Sequence, residues 1–144
     1  MKPSRSATLE VNRIVPGGNY GWPVVEGRSG DPRFRDPVVV WSPAEASPSG
    51  AAFAAGTLFV AALRGARLWA VPVDAFGRVG TPTAVLQGVY GRLRTVEVAP
   101  DGALWVTSSN RDGRGSPAAD DDRVLRFPAG ARRPQPPALL VGAG

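Results

Sequence analysis

At 144 residues the chain suits one domain, able to bury roughly two thirds of its unfolded surface. It holds no cysteine and no histidine, which excludes a disulfide framework, a thiolate metal site and the commonest general base. The net charge of +5 is carried almost entirely by arginine, scattered from Arg5 to Arg133 with no basic run and no aromatic interleaving, so it does not read as a nucleic-acid surface.

Residues 1–9 are polar and unpatterned, and no apolar run follows Lys2 and Arg5 as a secretion signal requires. Nowhere does an apolar run approach the ~18 residues of a membrane helix. The first informative stretch is Glu10 to Pro23, EVNRIVPGGNYGWP. A short apolar strand runs into Pro16, Gly17, Gly18 and Asn19, residues that suit a tight turn. Tyr20, Gly21, Trp22 and Pro23 leave it as an aromatic anchor, and the proline disfavours helix at Trp22. Glu26 to Pro37 reads as a polar loop, Pro37 to Trp41 as a strand, and Ala46 to Gly50 as a turn cluster. Helical spacing over Ala51 to Ala55 is weak and short.

A repeat follows. Gly56 to Leu63 is a strand, Arg64 and Gly65 turn it, and Arg67 to Val73 is the next strand. The second copy is Gly102 to Ser109, a longer loop, then Arg123 to Phe127. The shared Gly-x-Leu-aromatic-Val words begin at Gly56 and Gly102, 46 positions apart, close to the length of a four-stranded propeller blade. Between Arg92–Val98 and Ala103–Ser109, the sequence Ala99, Pro100, Asp101, Gly102 predicts a hairpin turn. The class is all-β: a partial blade and connecting loop over 1–40, blade-like units over 41–88 and 89–141, and a tail at 142–144. Two blades do not close a ring, so edge strands are expected to be open unless copies associate.

Arg92 and Arg94 are the sharpest chemical signal. Residues two apart on a strand share a side, about 6.5–7 Å from each other. Two guanidiniums there repel unless an anion sits between them. Glu97 points to the other side, while Val96 and Val98 continue the arginine side into apolar packing. Either a ligand with several carboxylates lies there, or the two arginines are solvated at a strand end or pair with Asp112 or one of Asp120–Asp122. The three consecutive aspartates diverge and read as a solvated loop. Ser47, Ser49, Ser108 and Ser109 have no histidine to activate them, which excludes a serine hydrolase.

The words EVNRIVPGGNYGWP, the Arg92–Arg94 pair, the Pro100–Gly102 turn and the strand after it resemble the soluble quinoprotein sugar dehydrogenases, the glucose/sorbosone dehydrogenase family. The resemblance runs over about residues 8–128 and corresponds to the C-terminal portion of a family member. It implies a six-bladed β-propeller that passes a hydride from a sugar hydroxyl carbon to pyrroloquinoline quinone (PQQ). It further implies that Arg92 and Arg94 hold the quinone's carboxylates and that Arg64 assists. Glu10 and the Tyr20 carbonyl would touch Ca²⁺, hard oxygen donors of the kind that ion takes. Trp41 would lie near the substrate pocket. For calcium the family's other branch uses a Gly-Pro pair just upstream instead; the aligned positions here are Ser4 and Arg5, so that site is absent. The family's catalytic histidine belongs to an earlier blade, so an isolated chain of this sequence is expected to show no turnover. Family members are often exported, and nothing in this chain directs it. The alternative is a non-catalytic propeller module for binding, with no nucleic acid or membrane partner and with self-association covering the blade edges.

Overall fold

A computed structural model describes residues 8–130, so Ser4, Arg5, the end of the 89–141 unit and the 142–144 tail lie outside the described residues. Strand β1 (Leu9–Val11) pairs antiparallel with β2 (Val39–Trp41), Leu9 opposite Trp41. Strands β3 (Pro48–Ala54), β4 (Thr57–Ala62), β5 (Arg67–Pro72) and β6 (Thr83–Val85) form a four-stranded meander. Strands β7 (Leu93–Val98), β8 (Leu104–Ser108) and β9 (Val124–Phe127) form a three-stranded one. All pairings are antiparallel, and among the described residues no helix is long and apolar enough to cross a membrane.

Two core clusters hold the sheets together. Val39, Trp41, Val60, Trp69 and Val71 pack between the β1–β2 pair and the four-stranded sheet, with the two indoles stacked at 5.1 Å. Ala61, Leu68, Leu93, Val96 and Val106 join the four-stranded sheet to the three-stranded one. Their apolar faces leave water together, the main driving force for sheet stacking.

The expected turn over Ala46–Gly50 is half right. Ser47 takes a positive φ of 59°, but Pro48, Ser49 and Gly50 already belong to β3, with a bulge between Pro48 and Gly50. Ala51–Ala54, read as weakly helical, continues that strand opposite Thr57–Val60. A tight turn at Ala55 and Gly56, both at positive φ, sets this register and overrides the helix preference of alanine. The turn at residues 99–102 forms as read: Gly102 N–H donates to Ala99 O, and Ala99 N–H to Ala103 O. The Glu10–Pro23 turn also forms, closed by Gly18 N–H on Val15 O with Gly17 at φ 71°. The aromatic anchor is Tyr20 alone. Its hydroxyl accepts from Val15 N–H and donates to Arg13 O, whereas Trp22 is 75% exposed.

Candidate functional site

The segment Ser42–Gly50 is a hub that touches the turn bearing Arg64 and the strand bearing Arg94. It leads from β2 into the start of β3, and its carbonyls are tied to its neighbours: Gly65 N–H donates to Ala46 O, Leu63 N–H to Ser47 O, and the Trp69 indole to Glu45 O. On the other side the Ser49 hydroxyl donates to Arg94 O. Gly50 lies so close to β7 that a Cβ there would stand 2.9 Å from Arg94 O. The turn bearing Arg64, the start of β7 and the end of β2 therefore meet at one end of the stacked sheets.

Arg92 precedes β7 and Arg94 is its second residue. A bulge between Leu93 and Thr95 breaks the strict alternation expected there. Val96 consequently shares its buried side with Leu93, not with Arg94, which corrects the reading that Val96 continues the arginine face. The guanidiniums nevertheless converge. Arg92 donates to Asp112 Oδ2 through Nε at 3.2 Å and Nη2 at 2.9 Å, and Arg94 Nη2 lies 3.6 Å from the same oxygen. The anion between the two arginines is thus a carboxylate of the chain itself. Its carboxyl is held below the usual range, first by the Arg114 N–H on Oδ1 and then by Arg92, against the opposing effect of burial.

Asp112 is fixed by the loop that follows β8. Asn110, 4% exposed, is its keystone. The Asn110 side-chain oxygen accepts Arg92 N–H, its amide donates to Tyr90 O and to Asp121, and its backbone N–H donates to Asp122. Asp121 also accepts from Ala118 N–H and pairs with Arg123, and its carboxyl too is held low, chiefly by that backbone donor. Arg111 closes the loop by donating to the carbonyls of Ala118, Ala119 and Asp121. The expected solvated aspartate loop holds for Asp120 but not for Asp121, whose side chain is almost wholly buried because it organises the loop. Asn110 escaped the sequence reading. The only hint was three polar residues, Ser108 to Asn110, where an apolar strand should have ended.

Glu10 sits on β1, with one carboxylate oxygen accepting from Asn12 Nδ2 and the other from Gly27 N–H, each at 2.9 Å. Beside it, Thr8 Oγ1 and Asn12 Oδ1 are buried without a hydrogen-bond partner. Thr8, Glu10 and Asn12 alternate along one side of the chain, so a carboxylate and two orphaned oxygens share a neighbourhood. Glu10 also borders a hollow of about 340 Å³ with Pro48, Ser49 and Gly50, the last two of which touch the Arg94 carbonyl. No described hydrogen bond joins Tyr20 to Glu10. Arg64 is exposed on its turn and, among the described residues, forms no salt bridge. Trp41 is buried against Trp69 and borders a separate hollow of about 570 Å³ with Arg28, Glu45 and Thr81.

The sequence profile described as glucose/sorbosone dehydrogenase matches residues 6–120, a span containing Glu10, Tyr20, Trp41, Arg64, Arg92, Arg94 and Asp112. The chain belongs to the glucose/sorbosone dehydrogenase family. Among curated protein sequences none matches. Among solved structures, this family member resembles the PQQ-bound form of an aldose sugar dehydrogenase from Streptomyces coelicolor at 48% identity and TM-score 0.80, over 86% of the chain and 37% of that one. A second likeness is to an oxidoreductase described as a glucose dehydrogenase from Thermus thermophilus, at 55% identity and TM-score 0.74, over 82% of the chain and 36% of that one. The chain therefore spans little more than a third of these relatives. Its antiparallel all-β sheets form part of a β-propeller.

Proposed function

We propose that the chain supplies one wall of a PQQ site in an aldose dehydrogenase of the propeller type, and that alone it turns over no sugar. The observation that carries the reading is the convergence of Arg92 and Arg94 on one carboxylate oxygen beside the Ser42–Gly50 hub. Paired planar guanidiniums suit a small polycarboxylate, and Asp112 cancels only one of their two charges. When bound, the quinone supplies the hydride acceptor that the polypeptide lacks. The chain's own residues bind and orient it: Arg94 and Arg92 at the carboxylates, with Arg64 on the adjoining turn. Trp41 contributes to the wall of the hollow on the substrate side.

Glu10, with the Tyr20 carbonyl, would hold calcium, which would add positive charge near the quinone. The orphaned Thr8 and Asn12 oxygens support a hard-cation fit, since calcium takes several oxygen donors. Proton abstraction from the sugar has no histidine to perform it in this sequence, which supports the absence of turnover. The test is an assay of the purified chain with PQQ, calcium, glucose and an artificial electron acceptor, run beside a binding titration. Binding without dye reduction is the expected result; sugar-dependent dye reduction would overturn the no-turnover reading.

A further inference from the structure

We propose that Asp112 is the positioning residue of this anion site: it locks Arg92 in a fixed, enclosed pose and leaves Arg94 as the more open of the two guanidiniums presented to the ligand. The inference deepens the cofactor-wall reading above and rests on it for the identity of the ligand.

The two arginines are not equivalent. The Arg92 side chain is 14% exposed and spends both Nε and Nη2 on Asp112 Oδ2. Its stem is confined, since a Cβ on Gly115 would stand 2.9 Å from Arg92 Cδ. Its backbone is confined as well, with the N–H held by Asn110 and the carbonyl accepting from Ser109 N–H. The Arg94 side chain is 50% exposed and spends Nε on Ser109 Oγ, while its Nη2 lies at the longer 3.6 Å from Asp112. Hence one guanidinium is walled in, and the other is aimed but open.

Asp112 connects them. One oxygen takes Arg114 N–H, which fixes the carboxylate plane; the other takes Arg92 and faces Arg94. A charge-assisted pair whose side chains are 14% and 20% exposed is screened far less than a surface pair. Replacing the carboxylate by an amide leaves two guanidiniums facing each other with no anion between them. Arg92 is then driven outward, and Arg94 loses the field that aims it.

The experiment is arginine modification by phenylglyoxal, read residue by residue by mass spectrometry on the full chain. In the unaltered protein Arg94 should react about ten times faster than Arg92, because the latter is both enclosed and hydrogen-bonded. In Asp112→Asn the contrast should vanish, and in Asp112→Glu, which keeps the charge, it should be partly restored. PQQ titration should show Asp112→Asn binding about fivefold to tenfold more weakly than the unaltered chain, with Asp112→Glu in between. Equal reactivity of the two arginines in the unaltered protein would overturn the proposal, and that comparison needs no variant to fold. So would an Asp112→Asn chain of native circular dichroism that keeps the contrast. If the unaltered chain binds no PQQ, the cofactor reading fails, while the reactivity contrast still decides the role of Asp112.

Discussion

Asn110 is central to the site, because one buried amide ties the approach to β7 to the loop after β8. Asn110→Ala would leave Arg92 N–H and Tyr90 O without partners in a largely buried setting. A loss of about 2–4 kcal/mol in unfolding free energy is expected, read from the urea midpoint at unchanged slope. Acid acts on the same network. Asp112 and Asp121 are held below the ordinary carboxylate range mainly by backbone donors, and Asp31 at about 2, mainly by the side chain of Arg33. Groups with depressed folded values contribute stability above their unfolded values, and that contribution is lost as pH falls through the folded ones. The chain should therefore hold its stability down to about pH 4 and lose it progressively towards pH 2. A melting temperature that does not fall across that window would contradict these assignments.

Gly50 shows how one element aims another. A Cβ there would meet Arg94 O at 2.9 Å and Thr95 Cα at 3.0 Å, backbone atoms that cannot step aside. Gly50→Ala should push β3 from β7 and cost about 1–3 kcal/mol, and it should weaken PQQ binding by displacing Arg94. Thermal melting together with a titration checks both effects. Strands β4, β5, β7 and β8 were legible because their turns are marked by Gly or Pro and their apolar residues form distinct runs. Strand β3 was not: Pro48, Ser49 and Gly50 are turn residues by composition, and the alanines after them prefer helix until the β4 pairing decides otherwise. Strand β6, three residues long at a sheet edge, has too little pattern to read. The Arg92–Arg94 pair stood out in the sequence, with Asp112 among its candidate partners. The bulge that separates Val96 from the arginine side was invisible, since a bulge is a property of pairing and not of one strand's own alternation.

For the whole molecule, three sheets stack through two apolar clusters, and the described four- and three-stranded sheets end in the edge strands β6 and β9. Val124 on the edge strand β9 is strongly exposed, and Trp105 on the central strand β8 beside it is partly so. Open strand edges with apolar side chains favour association, so sedimentation velocity should show species larger than the monomer, decreasing on dilution. A strictly monomeric chain at all concentrations would mean that those edges are covered.

If Arg92 and Arg94 together wall a quinone polycarboxylate, the chain itself should bind PQQ. The most direct measurement is equilibrium titration of the chain with PQQ, followed by quenching of the four tryptophans. Saturable binding is expected, weakened at least about tenfold by Arg94→Ala and further by rising salt. Binding unchanged in Arg94→Ala, or no saturable response from a folded chain, would contradict the arginine wall.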